Sequence, residues 1–137
     1  MLFADGSGPS GGYLTVTDAA GATSTKTFSL VINSALVATQ AVATRTLTAG
    51  NGAAPAFVPV TGSGGTKDYT FSISPALPTA LGFNTSTGAV SGTPNAAAGA
   101  TAYTVTVTDA AGATATSTFS LTINGVIAAA QSVATKS

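Results

Sequence analysis

Asp18 and Asp109 are the first side chains to weigh for chemistry, because each lies inside the same nine residues, TVTDAAGAT, at Thr15 to Thr23 and again at Thr106 to Thr114. A carboxylate repeated in one context invites a reading as a calcium ligand, since hard cations gather several oxygens at once. The chain does not supply the rest of such a shell. Glu is absent, no two of the four Asp residues lie within five positions of each other, and no DxNDN linker occurs. The residue order explains itself as a turn: the aspartate accepts local backbone N–H bonds while Gly21 or Gly112 takes the positive-φ position. No metal is expected at either place.

Three further groups invite sharper readings. Lys67, Asp68 and Asn124 are the residue types of a spontaneous Lys to Asn isopeptide bond, which needs a buried acid beside the pair. Lys67 and Asp68 sit in GSGGTKDYT, however, a stretch that reads as an exposed loop, where burial of unpaired charge is not expected. The row Thr104, Thr106 and Thr108 resembles a Thr-x-Thr ice-binding array, yet twisted strands rarely present a flat one, and Thr is an ordinary outward residue of a strand. Tyr13, Tyr69 and Tyr103 read as core or sheet-edge aromatics.

The ionisable inventory closes off most catalysis. Four Asp, three Lys and one Arg are present, with no His, Cys, Glu or Trp. There is therefore no thiolate nucleophile, no imidazole base and no thiolate or imidazole metal site. No catalytic residue, cofactor or metal site is expected, and the chain is read as no enzyme. Zero formal net charge leaves no basic face for nucleic acid. No apolar run approaches the roughly 20 residues of a membrane helix, so no membrane insertion is expected. The N-terminal MLFADGSG lacks the basic and apolar segments of a signal peptide, which places any export signal elsewhere.

The elements that would position these residues are strands. In AYTVTVTDAAGATATSTFSLTIN, Tyr103, Val105 and Val107 alternate with threonines, and after DAAG the alternation resumes with Phe119, Leu121 and Ile123 inward. That is an antiparallel hairpin. The segment from Asp18 to Asn33 repeats the one from Asp109 to Asn124 at 13 of 16 positions, so Phe28, Leu30 and Ile32 are expected to face a core as well. At the same offset of 91 residues, residues 34–46 align with 125–137, sharing Gln40/Gln131 and Val42/Val133. The organisation expected is the last two strands of a repeat over 1–33, a complete repeat over 34–124, and the first strand of another over 125–137.

Within 34–124, AFVPV, YTFSIS and GAVSG read as further strands, separated by TGSGGTKD, PALPTALGFNTST and TPNAAAGAT as loops. The core should hold Tyr69, Phe71, Ile73, Leu77, Leu81, Phe83, Val90, Tyr103, Val105, Val107, Phe119, Leu121 and Ile123. Short strands at this spacing predict an all-β sandwich.

At YTFSISPALPTALGFNTSTGAVSGTP, followed by the YTVTVTDAAG hairpin, the chain resembles the immunoglobulin-like repeats of large bacterial surface proteins, related to the cadherin-like domains of dystroglycan type. The resemblance implies an immunoglobulin-like (cadherin-like) β-sandwich repeat serving as spacer, stalk or adhesive module at the cell surface or outside the cell. One departure stands out: the family has Gly in LPxGL where this chain has Ala80, with Gly82 following. The competing function is a carbohydrate-binding accessory module of a secreted enzyme. That reading lacks a Trp platform and has few acids near which to build a sugar site. Self-association is the expected partnership, with copies or adjacent repeats meeting through sheet edges and terminal strands. A lone hairpin is marginal in water, and a donated strand from either end would build an end-to-end fibre. No host or glycan ligand is specified.

Overall fold

A computed structural model of the chain describes residues 9–129. All regular elements among them are strands, and the chain divides into two compact units between Ala35 and Leu36. Among the described residues the first unit holds one hairpin, β1 (Pro9–Thr17) and β2 (Thr23–Val31). Its antiparallel register sets Gly12 opposite Phe28, Leu14 opposite Lys26 and Val16 opposite Ser24. Alternating Thr and apolar residues favour the pleat, and the DAAG turn fixes the register.

The second unit carries β3 (Val37–Gln40), β4 (Thr44–Thr48), β5 (Ala54–Phe57), β6 (Val60–Ser63), β7 (Thr70–Ser74), β8 (Leu81–Phe83), β9 (Val90–Gly92), β10 (Ala98–Thr108) and β11 (Thr114–Asn124). One sheet runs β4-β11-β10-β7, with β4 parallel to β11 and the other pairings antiparallel. β3 pairs with β6, and β5-β9-β8 form a third, short sheet. These elements enclose one core of an all-β sandwich. The alternation in β10 and β11 does what period two requires, burying Tyr103, Val105, Val107, Phe119, Leu121 and Ile123 on one side. Tyr103 stacks on Phe119 at 5.5 Å, and Phe57 meets Phe119 edge-on at 6.1 Å.

Every residue expected in the core of residues 34–124 lies in it or packs against it. Three members escaped the sequence reading: Leu47, Ala49 and Val60. Leu47 is hidden because the single strand expected at the start of the repeat is two strands. β3 pairs with β6; the chain then crosses at Ala41 and Val42, whose N–H groups both reach the Pro59 carbonyl, and continues as β4 beside β11. Gln40 ties the crossing down, its Nε2 donating to the Thr118 carbonyl at 2.5 Å.

Three segments read as loops contain strand, TPNAAAGAT among them, whose last four residues open β10. PALPTALGFNTST includes β8, whose three residues are too few for a periodic signal, and the start of TGSGGTKD belongs to β6. The turn before β8 resolves the Ala80 departure. Leu81 N–H bonds the Pro78 carbonyl at 3.1 Å, and Ala80 has φ 72°, the left-handed position of a type II turn. Ala80 thus adopts the conformation that glycine takes more easily. Gly92 faces it across the β8–β9 pair, and a Cβ there would meet the Ala80 carbonyl oxygen at 2.2 Å.

Candidate functional site: two hairpins and their turn aspartates

In both hairpins the turn aspartate is built in the same way. Asp109 Oδ1 accepts N–H bonds from Ala111 (3.0 Å) and Ala113 (2.8 Å), and Gly112 has φ 88°. Asp18 Oδ1 accepts from Ala20 and Ala22, each at 2.9 Å, and Gly21 has φ 88°. The turn reading therefore holds at both positions. Among the described residues no group of three or more Asp, Glu, His or Cys gathers around a common point.

The two aspartates differ in their other oxygen. Asp109 Oδ2 accepts the Thr66 N–H at 2.8 Å, and Ala110 N–H bonds the Thr66 carbonyl at 3.0 Å, which pins the β10–β11 turn to the β6–β7 loop. Gly65 makes room for this contact, since a Cβ there would lie 2.5 Å from Oδ2. Tyr69 holds the same loop from the far side, its hydroxyl donating to the Gly64 carbonyl at 2.6 Å. Asp109 is only 7% exposed. The Thr66 N–H bond, aided by those from Ala113, Ala111 and Gly112, holds its carboxyl below the ordinary value of 3.8, against an opposing contribution from burial. Local sequence could not reveal this tie, because Asp18 stands in identical letters.

The faces of the two hairpins differ more. Phe119, Leu121 and Ile123 are each 2% exposed, a burial that contributes about 1.5–3 kcal/mol per side chain. Phe28 is 47% and Ile32 57% exposed, and Leu30 is half-buried. The expectation that these three face a core is corrected: among the described residues the first unit has no second sheet to cover them. Tyr13 is likewise no core residue. It falls one position after Gly12, which holds the register position of Tyr103, so its ring points to the face that Thr104 occupies in β10. Tyr103 is core, and Tyr69 is half-buried beside it.

The crosslink residues are kept apart. Lys67 and Asp68 are exposed beside the β10–β11 turn, whereas Asn124 ends β11 at the opposite pole. Eleven residues at about 3.3 Å each put on the order of 30 Å between those poles. The threonine row is uneven: Thr104 is exposed, but Thr106 and Thr108 are half-buried. The expected first strand over 125–137 lies mostly outside the described residues; within them, Val126 and Ile127 are exposed and belong to no strand. No described helix is long and apolar enough to cross a membrane.

A protein-family model described as "Putative Ig domain" matches residues 35–124. No curated protein matches the chain.

Proposed function

The chain belongs to this Putative Ig domain family, and from that premise we propose that it is a non-catalytic structural or adhesive repeat of a bacterial protein that works outside the cell. Its repeats, with 34–124 as one whole unit, set length and present surface, and copies join end to end through the partner-seeking strands of the first hairpin. The observation that carries this reading is the pair of hairpins. One sequence pattern, in one register, is buried in the second unit and left with an apolar face in water in the first. Leu14, Val16, Phe28 and Leu30 share that face with Ser24 and Lys26, and apolar area of this kind is removed from water by a second β-surface. A second copy carries the same face and the same open strand edges.

Sedimentation of the full chain across a wide concentration range tests the association. The weight-average mass should rise with concentration, and Phe28→Asp should hold the protein monomeric while leaving the second unit folded. A truncation that removes residues 125–137 asks whether the other end contributes. Monodisperse monomers at high concentration for the full chain would overturn the end-to-end arrangement.

A further inference from the structure

We propose that Asn51 is a site of spontaneous deamidation, and that the fold shields the other Asn-Gly step of the chain from the same reaction. Two of the five asparagines precede glycine, at Asn51–Gly52 and Asn124–Gly125. Such a step is labile because the glycine nitrogen approaches the neighbouring side chain with no Cβ in the way. The Gly52 nitrogen attacks Asn51 Cγ, and a C–N bond forms as the Cγ–Nδ2 bond breaks. Nδ2 leaves as ammonia, carrying the proton that the Gly52 nitrogen gives up. Water then opens the succinimide, at the side-chain carbonyl to give aspartate or at the main-chain carbonyl to give isoaspartate. The balance is water in and ammonia out, with no oxidant, reductant or cofactor.

The two steps are alike in sequence and differ in backbone freedom. Closing the ring requires rotation about the asparagine Cα–C bond, away from the extended range of a strand. Asn124 is the last residue of β11, paired beside Thr48 of β4, and its carbonyl accepts the Ala49 N–H at 2.9 Å. That rotation would carry the carbonyl off its donor. Asn51 lies exposed between β4 and β5, in a bend flanked by Gly50 and Gly52, whose φ values are 69° and 71°. The last fixed point before it is the Gly50 N–H, which bonds the Pro94 carbonyl at 2.9 Å. Among the described residues no hydrogen bond holds Asn51 or Gly52. A Cβ on Gly52 would meet no atom beyond its chain neighbours within 4 Å, so the ring has room to form. The remaining asparagines precede Ser34, Thr85 and Ala96, whose side chains hinder the attack, and Asn84 Oδ1 also accepts the Ser86 and Thr87 N–H groups. Reaction at Asn51 adds a negative charge to a chain of zero formal net charge, on the loop that joins β4 to β5. The inference does not rest on self-association, since none of these residues belongs to the first hairpin.

The competing role of Asn51 is that of a turn residue whose amide persists. Incubating the full chain in mildly alkaline buffer, folded and in urea, separates the two. Fragment mass spectrometry of proteolytic peptides reads the amide-to-acid exchange at each asparagine, and an isoaspartyl methyltransferase assay reads the isomer. In the folded chain Asn51 should convert to a mixture of aspartate and isoaspartate. Asn124 should react at least about tenfold more slowly, the factor set by loss of a backbone hydrogen bond on the way to the ring. In urea the two steps should react at similar rates. Asn51→Gln should remove the fast conversion from the folded chain. Persistence of the Asn51 amide in the folded chain, over a time in which the unfolded chain converts, overturns the site. Equal rates at Asn51 and Asn124 in the folded chain overturn the shielding by β11, as does an Asn124 that stays slow in urea.

Discussion

The hairpins β1–β2 and β10–β11 share their turn, their register and 13 of 16 residues from the turn aspartate onward, yet one is a core element and the other stands with its apolar face in water. What separates them is their neighbours. β10–β11 is flanked by β7 and β4 and packed under Val60, Val90 and Phe57; β1–β2 has no such flanks among the described residues. Local sequence is therefore sufficient for pairing and insufficient for burial. The lesson extends to single residues. Asp18 and Asp109 close their turns identically, and among the described residues only Asp109 also holds a second loop.

The largest expected effect breaks the comparison at its aromatic pair. Phe119→Ala should destabilise the second unit by about 3–5 kcal/mol, because it opens a cavity against Tyr103 and Phe57. The matching Phe28→Ala should cost under about 1 kcal/mol in dilute monomer, as a change at an exposed site. Denaturant melts of both variants measure the contrast.

A second effect should appear in acid. Because hydrogen bonds hold the Asp109 carboxyl below 3.8, the unfolded chain binds the proton first as pH falls. The stability contributed by Asp109 is complete above its unfolded value and is lost as pH drops through the depressed native one. Asp109→Asn should flatten this acid limb of the stability–pH curve. Urea melts at intervals between neutral pH and pH about 2 would check it.

Outside the hairpins, Ala80→Gly should raise the stability of the second unit by up to about 1 kcal/mol, the left-handed penalty of alanine less the added entropy of glycine. The gain should appear only in the main unfolding transition, with no change in β1–β2. The smallest expected effect is none at all: thermal melts in excess calcium and in EDTA should superimpose, since both turn aspartates spend one oxygen on their own backbone.

Much of this fold was legible because its long strands speak in period two. β10 and β11 announce their inward faces residue by residue, and their turn is spelled out by Asp and Gly. What stayed hidden depends on contacts distant in sequence. The switch of the first strand between sheets is fixed by Pro59 and Thr118, far from residues 37–48 in the chain, and β8 is too short to show a period. The Oδ2 bond of Asp109 leaves no local signature, and neither does the stacking of Arg45 on Phe57. The error at Phe28, Leu30 and Ile32 has the same root: a pattern states which face is apolar, while cover comes from elsewhere.

Amide hydrogen exchange on matched positions of the two hairpins tests the central claim most directly, with residues 28, 30 and 32 compared with 119, 121 and 123 in the full chain at low and high protein concentration. In dilute monomer the β10–β11 amides should be protected close to the global unfolding limit and the β1–β2 amides hardly at all, and raising the concentration should increase protection only in β1–β2. Equal protection of both hairpins in a verified dilute monomer would contradict the account.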